Sequence, residues 1–226
     1  MKKDLTELVF IVDRSGSMGG LETDTIGGFN ATLGKHRQAP GEAVVSTVLF
    51  DNEMKVLHDR IPIAEVKDMT DRDYQVRGCT ALLDAVGGAI RHISRVHGYL
   101  PDEYRPEHTI FVITTDGYEN ASVKYDYRTI KTMIEQKKEQ GWEFLFLGAN
   151  IDAVSEAAKI GISADRSVTY MADSIGTRLQ NEAVAKATYA MRTQPTGGMR
   201  MDGAWKCEVE KDTAKRGGKH KGFFRH

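Results

Sequence analysis

The chain has 226 residues, 40% of them apolar and 28% charged, which suits one globular domain and excludes a disordered one. Lys plus Arg number 31 and Asp plus Glu 32, so the net charge of -1 argues against a whole-protein nucleic-acid or membrane-surface role. Only Cys79 and Cys207 are present, which excludes a disulfide framework and a four-cysteine zinc site.

Lys2 and Lys3 are followed by Asp4 and Glu7, and the apolar run Leu8 to Val12 is too short for a signal-peptide core. No stretch approaches the length of a membrane span. The expected setting is cytoplasmic, with no membrane partner.

Taken in chain order, the elements alternate between two periods. Glu7 to Asp13 is a short apolar run suited to a buried strand. Met18 to His36 has a loose helical pattern with Ile26, Phe29 and Leu33. Ala43 to Phe50 and Met54 to His58 read as two strands joined at Asp51-Asn52, a hairpin turn pair. Ala81 to His97 is a strongly amphipathic helix, with Leu82, Val86, Ile90, Ile93 and Val96 on one face. Thr109 to Thr115 is a second buried strand, Tyr127 to Gln140 a helix stopped by Gly141, and Trp142 to Leu147 a strand. Val154 to Lys159 is a short helix, Ser167 to Met171 a last strand, and Ile175 to Met191 a final helix with Leu179, Val184 and Ala187 inward.

Strands alternating with helices predict an α/β fold, a doubly wound and mostly parallel sheet with helices on both faces. The hairpin supplies one antiparallel edge strand, and the expected strand order is 3-2-1-4-5-6. This domain should occupy residues 4–192. Residues 193–210 read as an extension with little secondary structure, pinned to the body by Trp205. Residues 211–226 hold six basic residues against Asp212 alone, which leaves 25 basic and 31 acidic residues, a net of -6, in positions 1–210. Gly217-Gly218 and the lack of apolar periodicity predict a flexible tail there, and its charge offers nucleic acid only a weak, salt-sensitive contact.

The first buried strand ends in Asp13-Arg14-Ser15-Gly16-Ser17-Met18, with a carboxylate and two hydroxyls at every second residue. In a tight loop this spacing can aim three oxygens at one point. The later strand ends in Thr114-Thr115-Asp116-Gly117, and Gly78-Cys79-Thr80 precedes the amphipathic helix, with Thr80 as its expected N-cap. In an open α/β sheet, ligands sit at the carboxyl ends of strands where the winding reverses, here between the first strand and the fourth. Asp13 closes the one and Asp116 the other. An all-oxygen donor set suits a hard cation such as Mg²⁺, which tends to accept a ligand from outside.

Asp13-x-Ser15-x-Ser17, the Gly-x-Thr-x-Leu stretch at Gly78 to Leu82, and the Thr-Asp-Gly at 115 to 117 resemble the metal-ion-dependent adhesion site of von Willebrand factor type A domains. The motifs stand in the family's order, and the resemblance covers about residues 7–192, most like the stand-alone bacterial members. It implies a Rossmann-like fold and a bound Mg²⁺ or Mn²⁺. It also implies a partner protein whose Asp or Glu completes the coordination. Ser15, Ser17 and Thr80 would then offer hydroxyls, while Asp13 and Asp116 hold the metal directly or through water.

Arg14 and Met18, together with Gly117, Tyr118, Glu119 and Asn120, lie beside these motifs and are expected to form a partner-binding rim. The reading is of a metal-dependent protein-binding module, with no catalytic residue. Two alternatives are a Mg²⁺-dependent phosphatase or phosphoryl-transfer enzyme and a nucleic-acid adaptor acting through the basic tail. Against the first, an Asp-x-Asp phosphotransfer site would carry Asp where Ser15 stands, and no acid or base is evident nearby.

Overall fold

The computed structural model describes residues 1–193 and 203–220. Six strands, β1 (Lys2–Asp13), β2 (Glu42–Phe50), β3 (Met54–Pro62), β4 (Pro106–Thr115), β5 (Trp142–Ala149) and β6 (Ser167–Tyr170), form one sheet in the order β3-β2-β1-β4-β5-β6. Every neighbouring pair is parallel except β2 and β3. The winding therefore reverses between β1 and β4, as strand counting predicts. No helix among the described residues is long and apolar enough to cross a membrane.

Side chains alternate across each strand and so feed two cores. Leu8, Phe10 and Val12 of β1 pack with α1 (Glu22–Gln38) and α5 (Ser174–Thr193), through Phe29, Leu33, Val184 and Ala187. Val9 and Ile11 pack on the opposite face, with α2 (Leu82–Tyr99), α3 (Tyr127–Glu139) and α4 (Ala153–Lys159). The strands are apolar on both faces because both faces are covered. Local signals set the helix ends. The Asp126 side chain accepts from Thr129 N and that of Asp152 from Ser155 N, at 2.7 and 3.1 Å, and Gly141 stops α3 at φ 84°.

The segment after α5 departs from expectation. Cys207–His220 forms a helix, α6, across the line drawn between an irregular extension and a flexible tail. The cause is tertiary. Trp205 and Val209 are buried, the Trp205 indole N–H donates to Asp165 O at 2.9 Å, and Thr213 Oγ1 donates to Thr169 O at 3.1 Å. Lys206 Nζ donates to Ala164 O and Ser167 O, and Arg216 pairs with Asp173 and Asp212. Trp205 thus pins the segment, as its sequence position suggests, and α6 lies along the β6 edge. Residues 194–202 and 221–226, including Phe223-Phe224, lie outside the described residues.

Candidate metal centre

The loop after β1 turns through a single helical turn at Gly16–Met18, and its odd positions face the end of β4. Asp13 is fully buried. Its Oδ1 accepts from Ser15 N at 2.7 Å and its Oδ2 from Thr115 Oγ1 at 2.6 Å. Thr80 Oγ1 donates to Ser15 Oγ at 3.1 Å, Ser15 Oγ and Ser17 Oγ are 3.1 Å apart, and Ser17 Oγ donates to Asp116 Oδ1 at 2.6 Å. The three hydroxyls form a chain that ends on a carboxylate. All five residues expected at the site, Asp13, Ser15, Ser17, Thr80 and Asp116, meet at the switch point. Ser15 and Thr80 lie at the base, and Ser17 is exposed at the mouth.

The electrostatics favour a cation. Burial raises the Asp13 carboxyl above its ordinary range. Burial also pushes Asp116 up to about 6; its bond from Ser17 opposes the shift and the Asp13 charge adds to it. Neither carboxylate forms an ion pair with a Lys or Arg among the described residues. Two carboxylates sharing one hollow, with neutral hydroxyl oxygens between them, fit a hard divalent ion.

The fold recurs in solved structures. The von Willebrand factor domain of the type V pili tip protein Mfa5 from Porphyromonas gingivalis superposes with a TM-score of 0.62 at 10% identity, covering 86% of this chain and 98% of that one. The fold is that of a von Willebrand factor type A domain. Proximal thread matrix protein 1 from the mussel byssus matches with a TM-score of 0.59 at 16% identity over 84% of this chain, which spans 47% of that protein. A second structure of the mussel protein, with a zinc-occupied MIDAS motif, matches with a TM-score of 0.57 at 15% identity, over the same 84% of this chain and 47% of that one. No family model matches the chain, and no curated protein matches it by sequence.

Within this type A fold, α2 begins at Leu82 and its N-cap position is Ala81, so Thr80 does not cap the helix. The Thr80 hydroxyl is turned into the site instead. Its capping work passes to the β4–α3 loop, where Glu119 Oε2 accepts from Leu83 N at 2.9 Å and Ser122 Oγ from Asp84 N at 3.0 Å. Asn120 Oδ1 accepts from Thr80 N at 2.9 Å. Glu119 and Asn120 are thus engaged inward as ties, while Tyr118 is 53% exposed. A Cβ at Gly117 would stand 2.8 Å from Thr80 Oγ1, so the backbone itself forms that wall.

Arg14 and Met18 do not lie on an exposed rim. Met18 is 1% exposed in the core, and Arg14, 6% exposed, points away from the site toward Asp51. The alternation that aims Asp13, Ser15 and Ser17 into the hollow sends the intervening Arg14 the other way. Sequence reasoning gave no role to Thr115 or Tyr74. Thr115 holds Asp13 Oδ2, and the buried Tyr74 hydroxyl donates to Asp13 O at 2.5 Å. Thr115 had one signal, its place directly before Asp116; Tyr74 had none.

Proposed function

We propose that this protein is a metal-dependent protein-binding module. Ser15, Ser17 and Thr80 offer hydroxyl oxygens to a divalent cation, with Asp13 and Asp116 holding it directly or through water. The cation supplies a Lewis-acid position that an Asp or Glu carboxylate of a partner protein fills. The observation that carries this reading is the hydrogen-bonded run Thr80–Ser15–Ser17–Asp116 beside the buried Asp13 carboxylate.

The donor set favours Mg²⁺, with Mn²⁺ as its alternative, because all donors are oxygen. The solved relative with a zinc-occupied MIDAS motif supports divalent binding at such a motif. The module is read as a binder and not an enzyme. The hydroxyls are neutral, both Asp13 oxygens already accept hydrogen bonds, and Asp116, the carboxyl lifted to about 6, is committed in this reading to the cation, so none of the five is free to shuttle a proton. Cytoplasmic residence belongs to the same reading, supported by two free cysteines, Cys79 and Cys207. Tyr118, exposed beside Gly117, is the rim residue most available to a partner.

The test has two stages. Calorimetric titration with Mg²⁺ and Mn²⁺ should show binding by wild type that Asp13→Ala loses. Affinity capture with both proteins, each in Mg²⁺ and in EDTA, should then retain a partner only on wild type in Mg²⁺. A partner retained in all four conditions would remove the metal from the docking mechanism.

A further inference from the structure

Four loops meet at this centre, and three of them, after β1, before α2 and after β4, carry its donors. The remaining loop is the tip of the β2–β3 hairpin, Asp51 and Asn52. A hairpin tip is ordinarily solvated, yet Asp51 is 2% exposed. Its Oδ2 lies 3.0 Å from Arg14 Nε and 2.7 Å from Arg77 Nε, and its Oδ1 accepts from Glu53 N at 2.8 Å. Burying a carboxylate is costly unless it is paired, and here both pairing arginines belong to donor-bearing segments. Arg14 sits between Asp13 and Ser15, and Arg77 leads into Thr80.

Backbone bonds tighten the same junction. Arg77 N donates to Arg14 O at 2.9 Å, Gly16 N to Gly78 O at 3.0 Å, and Ala81 N to Asp51 O at 3.0 Å. Asn52 Oδ1 accepts from Cys79 N at 2.5 Å. Gly78 has φ 70°, and a Cβ there would stand 2.2 Å from Asn52 Oδ1, so the two segments are in direct contact. Residues 74–81 contain neither helix nor strand. The position of Thr80 is therefore set by what grips this stretch: the hairpin tip on one side and Asn120 on the other.

We infer that Asp51 and Asn52 are positioning residues for the metal centre, holding the Thr80 segment where Thr80 Oγ1 meets Ser15 Oγ. The inference rests on the metal-binding reading above. Neither residue touches the donors directly; Asn52 acts through Cys79 and Thr80, and Asp51 through Arg14, Arg77 and Ala81. Partners of this kind, one layer behind the metal donors, commonly change metal affinity by about 10–100-fold.

The test is Mn²⁺ titration of the full chain, followed by water proton relaxation. Asn52→Ala should raise the Kd about tenfold, at the lower end of that range. Because Asn52 is exposed and neutral, this variant should keep its melting temperature in EDTA. In a Thr80→Ala background, Asn52→Ala should add less than about twofold, because a residue acting through Thr80 has nothing left to position. Asp51→Asn should weaken binding at least as much; if it does not fold, Asn52→Ala carries the test alone.

Hydrogen exchange in EDTA supplies a metal-free readout. The Thr80 amide, which bonds to Asn120 and not to Asn52, should lose protection in Asn52→Ala. An Asn52→Ala Kd within twofold of wild type, an effect that persists in full without the Thr80 hydroxyl, or unchanged Thr80 protection would overturn the inference. A wild-type chain that binds no Mn²⁺ would overturn the metal reading itself, and this inference with it.

Discussion

Ser17 Oγ donates to Asp116 Oδ1 at 2.6 Å, joining the loop after β1 to the end of β4 across 99 positions of sequence. The bond stabilises the ionised form of Asp116, but burial outweighs it and keeps the carboxyl at about 6. Asp116 is thus held charged at neutral pH at a cost to the metal-free fold. Asp116→Asn should stabilise the metal-free protein at pH 7 by about 1–3 kcal/mol. The same change should weaken Mn²⁺ binding by at least about tenfold. Denaturant melts in EDTA, paired with a metal titration, check both directions.

The raised Asp116 carboxyl also fixes how metal affinity depends on pH. Above about 6 the Asp116 carboxyl is ionised and ready for a cation; below it, its proton must leave first. The apparent Kd for Mn²⁺ should be nearly flat from pH 7 to 8 and rise by up to about tenfold per unit as pH falls below 6. Titrations across pH 5 to 8 measure this, and a flat profile throughout would show that Asp116 takes no part in binding.

Gly117→Ala tests the wall of the site without replacing a donor. The added Cβ would meet Thr80 Oγ1 at 2.8 Å and Ser17 Oγ at 3.4 Å. Displacing the Thr80 hydroxyl should lower Mn²⁺ affinity by about tenfold, an effect of the size seen when metal-supporting groups are disturbed. Gly117 has no left-handed backbone angle to lose, so the melting temperature in EDTA should change by only a few degrees.

A second buried cluster predicts the acid limb of stability. His36 is 1% exposed; its Nε2 meets Thr188 Oγ1 at 2.8 Å, and its Nδ1 accepts from Arg192 Nη1 at 3.0 Å. Burial, then the Arg192 and Lys35 charges, depress the imidazole from 6.5 to about 3. The folded state therefore binds fewer protons than the unfolded one between those values. This contribution is fully present above pH 6.5 and is lost as pH falls toward 3, by about 2 kcal/mol between pH 7 and 5. Chemical denaturation of wild type and His36→Gln at both pH values should show the wild-type loss exceeding that of the variant by this amount.

The α6 segment should contribute to stability without touching the metal centre. Trp205→Ala removes a buried indole and its 2.9 Å bond to Asp165 O, at a cost of about 3 kcal/mol. Mn²⁺ affinity should be unchanged. Loss of metal binding in this variant would mean that α6 and the β1–β4 junction are coupled.

Much of the chain is legible before folding. The period-two and period-3.6 patterns give every strand and five of the six helices, because each element has a face that only burial satisfies. The motif spacing at Asp13, Ser15 and Ser17, with Thr80 and Asp116, picks out the five side chains that converge at the switch point, because alternate residues of one short loop can share a direction. Tertiary structure decided the remainder. Trp205 and Val209 carry too little periodic signal for a helix, and α6 forms because the β6 edge and α5 give those side chains somewhere to bury. Thr80 looks like a cap in sequence, yet its hydroxyl serves the site, since Glu119 and Ser122 satisfy the α2 amides from another loop. Arg14 looks exposed, yet Asp51, 37 positions away, draws it inward. A local pattern reports which groups must be buried or paired, while the identity of the partner depends on chain segments that only the completed sheet brings together.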